Sequence, residues 1–263
     1  MLTVVVAKGL AWLFAVQSAP VAGAPDAGAA EETAPNRNCL DGLRERHVEF
    51  VEWPARGVRS PVKILGPLGG LRLRSHDPRS TSKTLLMDCE LARALVDATP
   101  AFQALGVREL LYSGAYQYRT RRRSTRLSEH AHGLAIDIHA FVIDPNPRRA
   151  VGRGASGVGG AGAVASAEDP TPGIVIEVAR DFEPNVGKWA VTEQDDCIGQ
   201  PRTDVGRTLR TLACRLRASS IFREVITPDD NPDHHDHFHL EAFPDVLTRT
   251  RAVLARKPFV TDD

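Results

Sequence analysis

Nine histidines are present, and they are unevenly placed: His47 and His76 stand alone, whereas His130, His132, His139, His234, His235, His237 and His239 fall in two short stretches. In the first stretch His130 is followed by Gly133, where the backbone can turn sharply, and then by an alternating run from Leu134 to His139. A strand period of two sets Leu134, Ile136 and Ile138 on one face and Ala135, Asp137 and His139 on the other. The same period in the second stretch sets His237, His239 and Glu241 opposite Phe238 and Leu240. With the apolar faces turned inward and the two strands side by side, His130, Asp137 and His239 converge as three ligands of one Zn2+ ion. A fourth position stays open, which is the requirement for a catalytic zinc. Water held there becomes a nucleophile near neutral pH and attacks a carbonyl polarised by the same ion. His237, two residues before the last ligand, is placed to take a proton from that water or to steady an oxyanion. Asp236 serves either as the partner that holds an imidazole in its ligating tautomer or as the base itself. Nothing in the spacing requires His132, His139, His234 or His235 as ligands, and they read as surface or supporting residues. Two histidines and a carboxylate are also the ligand set of non-haem iron oxygenases, but the usual His-x-Asp spacing of that set does not match the step from His130 to Asp137.

The elements that must position these residues follow from periodicity. Ser80 to Leu105 carries apolar residues at helical spacing, with Ser80, Thr81 or Ser82 as N-cap and Gly106 as the stop. Val107 to Tyr112 and Leu134 to Val142 read as strands, the second ending at the turn residues Asp144 to Pro147. Residues 150–167 are rich in Gly and Ala, bury too little apolar surface to offset their ordering entropy, and are expected to form a flexible insertion between two strands. Beyond it, Gly173 to Val178 and Phe222 to Ile226 read as strands and Asp204 to Ala218 as an amphipathic helix. The fold class expected is α+β: a mostly antiparallel sheet with helices packed on one side, forming a single domain over residues 39–250.

Composition narrows the function classes. With 33 Lys+Arg against 33 Asp+Glu, the net charge is near zero, and a general nucleic-acid binder is excluded. Arg119, Arg121, Arg122, Arg123 and Arg126 nevertheless form a basic run just before the first histidine stretch, which reads either as a solvated loop or as a lip that attracts carboxylates or an anionic polymer. The N-terminus has an apolar run broken by Lys8 and then a small-residue stretch, and residues 1–30 read as a signal peptide with a disordered lead-in. No stable membrane span is expected, and a periplasmic or secreted location is. The four cysteines, Cys39, Cys89, Cys197 and Cys214, contain no Cys-x-x-Cys pair and suit disulfides in an exported chain. Three connectivities are possible; Cys39 with Cys89 and Cys197 with Cys214 are favoured because each pair closes a local loop.

The motif Ser128-x-His130-x-x-Gly133-x-Ala135-x-Asp137, followed by His237-x-His239, resembles the zinc peptidases that include D-Ala-D-Ala carboxypeptidases, murein endopeptidases, lysostaphin-type enzymes and hedgehog signalling domains. The stretches Leu127 to Ile138 and His234 to Glu241 more closely resemble the bacterial extensin-like C-terminal domain family. The resemblance implies a zinc-peptidase-like domain with one Zn2+ held by His130, Asp137 and His239, and with His237 and Asp236 as catalytic residues. It also implies Arg119 and Ser128 at the substrate, and peptidoglycan or another cell-wall peptide as partner. This sequence departs from the pattern at Asp236, where some branches carry a Glu base, and at Tyr118, where a Cys is usual. A catalytically silent wall-binding module that keeps the metal pocket is the alternative function.

Overall fold

The structure, a computed structural model, describes residues 36–82, 84–145, 173–186 and 197–256. Among them are five α-helices and nine strands, all within one compact unit. Strands β1 (Phe50–Glu52), β2 (Pro61–Ile64) and β4 (Leu85–Asp88) form a small antiparallel sheet. The larger sheet runs β3 (Arg72–Ser75), β5 (Val107–Gly114), β6 (Ala135–Ile143), β9 (Phe238–Ala242) and β8 (Phe222–Ile226), with β7 (Ile174–Glu177) also paired to β6. Only β3 and β5 pair in parallel, so the antiparallel expectation holds.

Strand β6 is the hub of this sheet. Along one edge it meets β5 through most of its length. Its other edge is shared, with β9 against Ala135 to Ile138 and β7 against Ala140 to Ile143. One face is apolar: Ile136 and Ile138 of β6, joined by Phe141 beyond a register shift at His139, pack with Phe238 and Leu240 of β9 in the main core. Leu91, Leu95 and Phe102 of α2 (Cys89–Gln103) and Leu209, Leu212 and Leu216 of α4 (Asp204–Ala218) cover them. The alternate residues, Asp137, His139, His239 and Glu241, are thereby left on the opposite face.

Strands β5 to β9 and helix α4 fall where the periodicity sets them. The expected helix from Ser80 to Leu105 does not: Leu85–Asp88 is strand β4, and α2 begins only at Cys89. Leu85, Leu86 and Met87 are a continuous apolar run that suits either period, and pairing with Pro61–Ile64 decides it. The cap is Asp88, whose carboxylate accepts the backbone N–H of Glu90 at 2.8 Å, whereas Ser82 donates to the Thr84 carbonyl. The folded bounds also widen, from 39–250 to include α1 (Arg37–Glu45) and α5 (Val246–Arg256) in full. Helix α3 (Val178–Asp181) is a single turn. The expected leader 1–30 and insertion 150–167 lie outside the described residues, although β6 and β7, the strands flanking the insertion, pair as expected of neighbours.

Two disulfides, Cys39–Cys89 and Cys197–Cys214, join the pairs that close local loops. The first ties α1 to the opening residue of α2. Among the described residues no helix is long and apolar enough to cross a membrane.

Candidate metal centre

His130 sits in a short 3-10 helix, Glu129–His132, capped by Ser128, whose hydroxyl accepts the Ala131 N–H at 3.3 Å. Gly133 ends that turn with φ of 65°, the left-handed conformation, and feeds straight into β6. A side chain could not follow there: a Cβ on Gly133 would lie 2.7 Å from the backbone nitrogen of Asp88. Strand pairing then brings the second stretch in, because the register of β6 with β9 sets Asp137 directly opposite His239 and Ala135 opposite Glu241.

The result is a buried three-donor group. One donor atom from each of His130, Asp137 and His239 lies within 4.8 Å of the others. His130 Nδ1 is 3.2 Å from the Ala115 carbonyl, which can only accept, so Nδ1 carries a proton. Its Nε2 is buried, makes no hydrogen bond, and lies 3.2 Å from Asp137 Oδ2. A neutral imidazole would there face a carboxylate lone pair to lone pair, an arrangement that asks for a cation between them. His239 Nδ1 is 2.7 Å from Asp137 Oδ1 and its Nε2 is 3.1 Å from Glu241 Oε1.

The charges respond to this crowding. Burial disfavours ionisation of Asp137, yet the two imidazoles packed against it, His130 and the hydrogen-bonded His239, outweigh it and hold its carboxyl well below the usual range. Burial likewise opposes charge on His239, but its bonds to Asp137 and Glu241 push its pKa up to about 9. Glu241 is pulled down to about 2: the His239 and Arg223 contacts overcome its burial. Arg223 also pairs with Glu129 at 2.9 Å, and Arg121 joins Glu129 at 2.7 Å.

His237 stands immediately before β9, with Nδ1 2.7 Å from Asp236 Oδ1 and Nε2 3.5 Å from Asp137 Oδ1. The Nδ1–H donates to Asp236, which leaves an Nε2 lone pair turned toward the inner donors. Of the two roles open to Asp236, this geometry fits that of the residue orienting an imidazole.

The other expected site residues divide. Arg119 is exposed, and its carbonyl accepts the Ser128 N–H at 3.0 Å, so its backbone lies beside the approach to His130. Ser128, expected at the substrate, is instead buried with its hydroxyl committed to capping. His132 and His235 bond to the carbonyls of Gly57 and Pro232 and stand apart from the donor groups. His234 and His139 do not: each belongs to a further three-donor group, His234 with His237 and His239, and His139 with Asp236 and His237. Glu241 went unassigned in the sequence, though its two-residue step from His239 is the signal that finds it. The Ala115 carbonyl carried no signal at all.

Two imidazoles and a carboxylate, with a buried orphan nitrogen, suit a borderline divalent metal such as Zn2+. Tetrahedral zinc with bonds near 2.0–2.1 Å holds its donors roughly 3.3 Å apart, close to the 3.2 Å between His130 Nε2 and Asp137 Oδ2. His239, donating from one nitrogen to Glu241, has the supporting carboxylate that ligating histidines usually carry.

A family model described as the extensin-like protein C-terminus matches residues 37–164. The extensin-like match contains His130, Asp137 and the Arg119–Arg126 run, and it ends before Asp236, His237 and His239. Asp236, His237 and His239 therefore lie beyond the matched residues, His239 on β9 and the other two just before it. No curated protein and no solved structure matches the chain.

Proposed function

We propose that this protein is an exported zinc-dependent peptidase that hydrolyses amide bonds in peptidoglycan peptides. The observation that carries the reading is the buried, bondless Nε2 of His130 facing Asp137, with the Asp236-oriented His237 beside the same carboxylate. His130, Asp137 and His239 are the residues that would hold the ion. When bound, a zinc ion supplies Lewis acidity toward a scissile carbonyl and lowers the pKa of water. His237 Nε2 takes the proton from the attacking water and returns it to the leaving nitrogen, while Asp236 holds the ring's other N–H and steadies the imidazolium that forms. Glu241, locked by Arg223, fixes the ring of His239.

Binding of an acidic substrate is supported by the arginine lip. Arg121 and Arg122 are tied to Glu129 and Asp233, whereas Arg119, Arg123 and Arg126 make no ion pair among the described residues. These three are free to meet a peptide carboxylate. Two disulfides support an oxidising, exported location.

The test joins elemental analysis to a digest of purified muropeptides. His239→Ala is expected to lose the zinc of this centre together with muropeptide cleavage. Asp236→Asn is expected to keep zinc while cleavage slows by roughly 10- to 100-fold. A zinc-loaded, folded wild type that binds cell wall but releases no fragment would overturn the peptidase reading in favour of a non-catalytic wall-binding module.

A further inference from the structure

The inner group does not exhaust the donors on this face. Moving outward from His239, ring centroids follow one another at short steps: His234 at 5.3 Å, then His237 at 5.0 Å from His234, His139 at 5.1 Å from His237, and His76 at 4.9 Å from His139. The outer part of this row contains a complete donor set of its own. His139 comes from β6, two residues beyond Asp137 on the same face, and Asp236 and His237 come from the segment that enters β9. One donor atom from each lies within 4.8 Å of the others. His139 Nδ1 is 3.8 Å from Asp236 Oδ2, and His237 Nδ1 is 2.7 Å from Asp236 Oδ1.

Three features distinguish this set from a chance polar cluster. It shares no residue with His130, Asp137 and His239. Its central imidazole, His139, is mostly buried, stacked on His76, and makes no hydrogen bond among the described residues, which leaves its ring nitrogens free for a ligand. His76 is already committed, its Nε2 lying 3.1 Å from Glu177. Finally, Asp236 is partly open to solvent, so that water could complete a coordination shell.

We propose that His139, Asp236 and His237 form a second, outer site for a divalent transition metal. Two imidazole nitrogens and one carboxylate select Zn2+, Co2+ or Ni2+ over the oxygen-preferring Ca2+ and Mg2+. Because this site takes His237 Nδ1 away from Asp236, and on the peptidase reading above that pair moves the proton, excess metal inhibits the enzyme.

Equilibrium dialysis of the metal-stripped full chain against Zn2+, followed by elemental analysis, tests the site without reference to activity. The wild type is expected to take up two ions per chain, His139→Ala one, and Asp236→Asn one. His130→Ala is expected to lose the other ion and keep the outer one. Circular dichroism on each variant establishes that it is folded. If folded His139→Ala and Asp236→Asn both bind as many ions as the wild type, the outer site is overturned. If only His130→Ala binds as many as the wild type, the inner-site reading fails and the outer one stands.

Discussion

At the scale of single residues, the centre depends on backbone as much as on donors. Gly133 must adopt a left-handed φ and pass within contact of the Asp88 nitrogen, so that His130 swings over Asp137. Gly133→Ala is therefore expected to destabilise the fold by about 2 kcal/mol or more, measured by urea denaturation. Gly42, inside α1 with open space where a Cβ would go, provides the contrast. Gly42→Ala should stabilise by about 0.5–1 kcal/mol; equal losses at both positions would refute the steric argument. Two of the three inner donors, Asp137 and His239, were legible because a strand's period of two is rigid: once Ile136 and Phe238 turn inward, Asp137 and His239 have one face left. Hydrogen-bond partners were not legible. The Ala115 carbonyl that sets the His130 tautomer is a backbone atom with no sequence signature, and Ser128 looks alike in sequence whether it caps a turn or meets a substrate.

At the scale of elements, the junction of β4 and α2 carries an electrostatic load. Burial pushes Glu90 up to about 7, against the opposing charge of Arg93 and with help from Asp88. Asp88, also raised by burial despite the N–H groups of Glu90 and Ser60, sits at about 6. The sign follows from proton counts. Between roughly pH 4.5 and 7 the folded state retains a proton on Glu90 that the unfolded chain has released, so this group's contribution to stability falls as pH rises through that window. Glu90→Gln should flatten the dependence there by about 1–3 kcal/mol, read from denaturation at pH 5 and pH 8; an unchanged slope would show that Glu90 titrates normally. This junction is also where the sequence misled. The run from Leu85 to Met87 matches a helix template as well as a strand, and only the distant partner Pro61–Ile64 resolves it. Strands β1, β2 and β3 were missed for a related reason, since three or four residues are too few to display a period.

At the scale of the whole molecule, the two disulfides close loops of unequal length. Cys39–Cys89 spans 50 residues and Cys197–Cys214 spans 17. On chain-entropy grounds their removal should cost about 4 and about 3 kcal/mol respectively. Thermal melts of the Cys39→Ser/Cys89→Ser and Cys197→Ser/Cys214→Ser variants test the order; a larger loss from the shorter loop would contradict it. Whole-chain charge was a poor guide here, because a balanced total hides the Arg119–Arg126 run and the carboxylates that pin part of it.

The pairing of Asp137 with His239 has a kinetic side. The two residues are 102 positions apart, and their strands meet only once the intervening chain has found its place. Contacts of such long range form slowly and late. A refolding chain offered metal would thus show strong uptake only at the end, with the ion marking completed topology rather than nucleating it. Once bound, it would hold β6 and β9 together by mass action, adding about 2.7 kcal/mol at a hundredfold excess over its dissociation constant.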